Sequence, residues 1–180
     1  MITRLKTRLR RFRKEDAGAL YSLEFLVLLP VLVFPLLFGV ELTTHSNRQF
    51  QLDRGLEVTT REIRLNTAYN FTHDQIKTAI CANTGGLSDC DSRLRLEMVA
   101  MNPRNYAGLP NVADCIDSAE DVRPVRGWSL GQQHQLMVMR ACYRYDPFSA
   151  SFGLGNIFAT DNTDELGTMV SMSAFVQEPE

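Results

Sequence analysis

Hydrophobic and polar positions divide the chain into three regimes. Residues 25–40 are apolar without a single charge, and adding Ala19 to Leu23 gives roughly the 20 residues that cross a bilayer core. One carboxylate, Glu24, sits inside that run. Beyond it the pattern turns helical and amphipathic: Leu42, Leu52, Leu56, Thr59 and Ile63 fall near one face, while Arg48, Asp53, Arg54, Glu57, Arg61 and Glu62 populate the others. The spacing predicts one helix from about Ala19 to Leu65, near 70 Å long at 1.5 Å per residue, half of it in lipid and half (42–66) amphipathic. Pro30 and Pro35 interrupt the hydrogen-bond ladder of the lipid half, which predicts a kink or a locally unwound turn. Gly55 reads as a weak spot in the second half.

The third regime is shorter-ranged. The stretch Asn66-Thr-Ala-Tyr-Asn-Phe71 breaks the helical pattern, and Thr72-His-Asp-Gln75 has the spacing of a capping box that opens a short helix over 73–82. Strands are expected near 93–101, 136–145 and 168–176. In the first, Leu94, Leu96, Met98 and Ala100 alternate onto one side; the other two are apolar on both sides. A sheet of three strands buries a face only if another element covers it, and the amphipathic half of the long helix is the available cover. The expected class is α+β, one long N-terminal helix on a small three-stranded antiparallel sheet. Two irregular regions remain, 102–133 and 146–166. The apolar residues of the second (Phe148, Phe152, Leu154, Ile157 and Phe158) either tuck under the sheet or meet a neighbouring subunit.

Charge adds a direction. The chain has 180 residues and a net charge of −2, enough for one modest domain beside a membrane segment. Arg4, Lys6, Arg8, Arg10, Arg11, Arg13 and Lys14 precede the apolar run against only Glu15 and Asp16, whereas the remainder is acidic. A basic arm beside an apolar run places that arm in the cytoplasm and the rest of the chain outside. The acidic remainder argues against nucleic acid as a partner. Gly39-Val-Glu-Leu-Thr-Thr-His after the run contains no Ala-x-Ala site, so the segment is expected to stay attached as an anchor.

All four cysteines, Cys81, Cys90, Cys115 and Cys142, lie in the exported part, as two disulfides in an oxidising compartment. Three pairings can be drawn; proximity favours Cys81–Cys90 and Cys115–Cys142. No Cys-x-x-Cys or close His pair supports a metal site. Gly127-Trp-Ser-Leu-Gly131 matches the Gly-x-Ser-x-Gly nucleophile elbow, but Arg123-Pro-Val-Arg126 is a poor buried strand and the only downstream histidine is His134. His45, His73 and His134 are scattered and expected to face solvent. No phosphate-binding loop or His-Glu-x-x-His motif occurs, and nothing points to a cofactor or small-molecule substrate. Asn70-Phe-Thr72 matches a glycosylation sequon.

Glu24 is then the feature to explain, because a charge inside a membrane helix is rare without a structural or functional reason. A single span with one acid makes a poor ion relay; a cation from another chain is the simpler partner. The block Arg10-Arg-Phe-Arg-Lys-Glu-Asp-Ala-Gly18-Ala-Leu-Tyr-Ser-Leu-Glu24-Phe25-Leu-Val-Leu-Leu-Pro30 resembles the start of the TadE-like pseudopilins, minor components of the tight-adherence (Flp type IVc) pilus system of bacteria. The resemblance covers about thirty residues strongly. It implies a pilin-like fold, with residues 1–18 a basic cytoplasmic leader, 19–41 the membrane segment and 42–180 a periplasmic domain. It also implies a non-enzymatic role in pilus assembly and adhesion, with a prepilin peptidase, other pilin subunits and an inner-membrane assembly platform as partners. Carried over, Gly18 is the last leader residue, Ala19 the new terminus and Glu24 the acid that pairs with a neighbour's freed amino group. Glu24 is the sixth residue from that cut where the family usually has the fifth, so a cut after Ala19 is the second choice. The competing class is an unprocessed, membrane-anchored periplasmic binding module that uses the loops 102–133 and 146–166.

Overall fold

A computed structural model describes residues 16–66, 71–104, 110–115, 127–149, 153–158 and 166–178, with only the backbone described at 16–20 and 153. The leader arginines, Asn70, Phe152 and much of the 102–133 region lie outside the described residues. Helix α1 runs over Asp16–Leu65 as a single α-helix of 50 residues. Of the two forms expected at Pro30 and Pro35, a kink or a locally unwound turn, the unwound turn is absent: the α-helical pattern continues through both. Each proline removes one donor, and the bonds on either side hold the helix together.

The contacts divide the chain into two units, one ending at Val40 and the other beginning at Glu41. In the second unit the order after α1 is α2 (His73–Asn83), α3 (Cys90–Arg93), β1 (Leu94–Ala100), β2 (Leu136–Tyr145), α4 (Gly153–Phe158) and β3 (Gly167–Val176). Helix α2 begins as its sequence dictates. The Gln75 backbone N–H donates to the Thr72 hydroxyl, and the Thr72 N–H donates to the Gln75 side chain. Helix α3 is a single turn between the Cys81–Cys90 disulfide and β1 that hydrophobic periodicity did not announce.

The strands form an antiparallel sheet in the order β1-β2-β3. Register puts Leu94, Leu96 and Met98 opposite Tyr143, Ala141 and Met139, and puts Tyr143 opposite Met169 and Met137 opposite Phe175. These side chains share one face because side chains alternate along a strand. Leu52, Leu56 and Ile63 from α1 and Ile76 and Ile80 from α2 complete a single core against that face. β2 is the central strand and is buried nearly throughout, which explains why its sequence is apolar on both sides.

Leu42 departs from the expected stripe and is exposed. Counting back from Leu52 in steps of four, three and four reaches Arg48, His45 and Glu41, so the buried face continues through polar residues. Gly55 also has a positive role. A Cβ there meets Thr84 Cγ2 at 2.7 Å and the Ile80 carbonyl oxygen at 2.8 Å, so the missing side chain lets the end of α2 approach α1 closely. Gly55→Val is expected to destabilise the domain by about 1–3 kcal/mol through overpacking against backbone. Thermal melts of the full chain in detergent read this directly, and an unchanged midpoint would remove the close-approach role.

Candidate functional site

The apolar half of α1 is long and apolar enough to cross a membrane. Glu24 lies on it, exposed, and none of the described residues reaches its carboxylate. The flanking Leu23, Phe25 and Leu28 are exposed as well, as suits a surface meant for lipid or for other helices. Gly18 and Ala19 fall in the first turn of α1. In hydrocarbon a carboxylate with no internal donor must find a cation or a proton from elsewhere.

A second carboxylate behaves in the opposite way. Glu41, the first residue of the folded unit, has no solvent exposure. One carboxylate oxygen accepts from the Phe148 N–H at 3.1 Å; the other accepts from the Ser149 N–H at 3.0 Å and the Ser149 hydroxyl at 3.1 Å. Three donors offset the desolvation of a buried charge. The Ser149 hydroxyl also accepts from the Gly155 N–H at 3.3 Å. A Cβ on Gly155 would run into the Ser149 carbonyl, so only glycine fits where α4 passes under this turn.

One turn along α1, His45 Nδ1 and the Tyr145 hydroxyl share a hydrogen bond of 2.6 Å. The imidazole stacks on Phe158 with centroids 4.4 Å apart. Burial lowers the His45 pKa, with nearby Glu41 opposing the shift and Arg48 adding to it, so the ring is neutral at pH 7. Burial, reinforced by Glu41, pushes Tyr145 up to about 12. A further turn on, the Arg48 guanidinium lies 5.0 Å over the Tyr145 ring and donates to the Asp146 carbonyl. Residues 145–149 therefore run along α1 from Arg48 back to Glu41. His45 is half-buried, against expectation, and His73 sits edge-on to Trp128; His134 is exposed as expected. The sequence signal for this cluster was the 3-4 spacing that continues the Leu52 stripe backwards, obscured because its members are polar.

On the opposite face of the sheet, Glu97 and Arg140 are register partners and nearly fully buried. Arg140 Nε donates to the Glu97 carboxylate at 2.6 Å, and its two terminal nitrogens donate to the Pro110 and Val112 carbonyls. Arg95 pairs with Asp114 at 3.0 Å, and Cys115 is bonded to Cys142. Segment 110–115 is thus fixed to β1 and β2 by charge, backbone acceptors and a crosslink. The other disulfide joins Cys81 and Cys90, so the four cysteines pair as proximity favoured.

Ser129 is exposed, with its backbone and side chain both bonded to β1. Its N–H and hydroxyl both donate to the Met98 carbonyl, Trp128 forms a parallel bridge to β1, and no helix follows. Among the described residues no group of three or more metal-binding side chains occurs.

Compared with protein-family models, with curated proteins and with solved structures, the chain matches none. What fold and site define is a class: an α+β domain with two disulfides, continuous with an apolar helix of membrane length that carries one exposed acid.

Proposed function

We propose that the protein is a non-enzymatic, pilin-like minor subunit of a tight-adherence pilus system, anchored in the bacterial inner membrane with its leader in the cytoplasm. The observation that carries this reading is Glu24, exposed on a membrane-length helix and without a partner among the described residues. A prepilin peptidase cuts after Gly18, and the freed amino group of one subunit neutralises Glu24 of the next. The pairing removes a charge from lipid only when subunits associate, so it couples membrane insertion to assembly. The contrast with Glu41 supports the assignment: the described residues supply three donors to one acid and none to the other.

Intact mass of the protein isolated from its native membrane tests the cut. Loss of residues 1–18 is expected; an intact Met1 terminus rules out processing and leaves the binding-module reading. Glu24→Ala is expected to remain in the membrane yet fail to enter pili, and normal piliation in that variant would exclude the pairing role.

A further inference from the structure

The two edges of the sheet are treated differently by the described residues. On β1 the Met98 N–H donates to the Gly127 carbonyl and the Met98 carbonyl accepts from the Ser129 N–H, so the segment around Trp128 covers that edge. Just past β3, the Gln177 N–H donates to the Gln135 carbonyl and the Gln177 carbonyl accepts from the His134 N–H. Backbone groups alternate along a strand, so the odd-numbered residues of β3 face β2 and the even-numbered ones face the free edge. Gln49 of α1 reaches the Val170 carbonyl from that free side, at 3.3 Å. Beyond it, the edge-facing N–H and C=O groups of Met172, Ala174 and Val176 have no partner among the described residues.

Proteins usually blunt such an edge with charge, proline, a bulge or a covering element. Strand β3 contains no charged residue and no proline. Its outward side chains Val170, Met172 and Val176 are 40%, 63% and 49% exposed, and Ala174 is exposed between them. On the other side the edge is walled by the last turns of α1, and a groove of about 540 Å³ runs between them and Ser173–Phe175. Arg64 on that wall is paired with Glu178. Glu57 and Arg61 also line the groove; both are exposed, and neither forms an ion pair among the described residues. The contacts of Gln49 with Val170 and of Arg64 with Glu178 show that α1 and β3 run in the same direction here.

We propose that the free edge of β3 is a docking site for one extended strand of a partner protein, added antiparallel, whose apolar residues continue the Val170-Met172-Val176 stripe and whose alternate residues include an acid for Arg61 and a base for Glu57. Backbone pairing with Met172, Ala174 and Val176 supplies affinity, and the alternate side chains supply choice. The spacing fits. Glu57 and Arg61 are four residues apart on α1, a rise of about 6 Å, and two residues of a strand cover about 6.6 Å. A strand antiparallel to β3 passes Arg61 before Glu57, so its recognition pattern reads acid-x-base. A second copy of β3 is the poorer occupant, because that strand has no charge to offer either residue. The site lies wholly within the folded unit and depends neither on a cut after Gly18 nor on the pairing of Glu24.

The test selects from a display library of random decapeptides on the full-length protein in detergent micelles. The parent is expected to enrich peptides with alternating apolar residues and an acid-x-base pair. Glu57→Arg combined with Arg61→Glu changes two exposed side chains, and this double variant is expected to enrich base-x-acid instead. A synthetic peptide with the parent's consensus should slow amide exchange at Met172, Ala174 and Val176 several-fold. N-methylation of the alternate peptide amides that face β3 should weaken its binding at least tenfold. Ala174→Pro removes one donor from the free edge, where proline is tolerated, and should weaken binding to a similar degree. No enrichment on the parent, a charge order that ignores the swap, or undiminished binding of the N-methylated peptide overturns the proposal. Slowed exchange of the same three amides that grows with protein concentration in the absence of peptide assigns the edge to a second copy and overturns it as well.

Discussion

Arg140→Ala is expected to destabilise the folded domain by about 3–5 kcal/mol, because it leaves Glu97 buried and charged without its cation. Glu97 is 3% and Arg140 4% exposed, so water cannot replace the lost partner without opening the sheet face. The same substitution strands the Pro110 and Val112 carbonyls that Arg140 satisfies, and buried acceptors without donors carry their own penalty. Replacing both charges tests the cause. Glu97→Leu with Arg140→Met removes the ion pair and keeps most of the volume, and such exchanges are often neutral or stabilising. Urea melts of the full chain in detergent should therefore show the double variant far closer to the parent than Arg140→Ala. Equal losses in both would mean that packing, and not the orphaned charge, sets the cost.

Opening the Cys115–Cys142 crosslink, as Cys115→Ser with Cys142→Ser, should lower stability by about 3.5 kcal/mol on the chain-entropy estimate. Its sequence separation is 27 residues. Cys81–Cys90 spans 9, and the same estimate gives about 2.6 kcal/mol for it. The more informative quantity is the coupling. Arg140 and Cys142 both fasten segment 110–115 to β2, so once the disulfide is open part of what Arg140 holds is already released. The two losses should fall short of additivity, as expected of residues that share a partner. Strict additivity in a double-mutant cycle would show that the ion pair stabilises the sheet face independently of the segment.

Much of this architecture was legible before any coordinates. The membrane-length run, the amphipathic continuation to Leu65, the Thr72 capping box and the alternation of Leu94, Leu96 and Met98 are local patterns, and each appears in the fold. The polar half of the design was harder to read. His45 and Arg48 looked like surface residues because polarity usually marks solvent, yet they continue the buried stripe of α1 and are sheltered by Tyr145 and Phe158. Glu97 and Arg140 sit at outward-facing strand positions, and only segment 110–115 folding over them makes those positions interior. Gly55 looked like helix-weakening backbone until α2 arrived beside it.

The described apolar residues between β2 and β3 divide in a way periodicity could not anticipate. Phe158 stacks on His45, and Phe148 and Ile157 point to the outside. The reason is the Glu41 carboxylate, which captures two successive backbone N–H groups and so fixes which way the turn faces.

By itself the sequence determined what depends on near neighbours: a continuous apolar run can satisfy its backbone only as a helix in lipid, a 3-4 stripe commits the next turns to one buried face, and alternation sets the sides of a strand. Tertiary structure alone decided the fates of the two acids. Glu41 and Glu24 are the same side chain on the same helix, and no local pattern separates them. One meets three donors brought from residues 148 and 149, more than a hundred positions away, and is enclosed. The other meets none among the described residues. Whether a buried charge is tolerated depends on donors that only folding assembles.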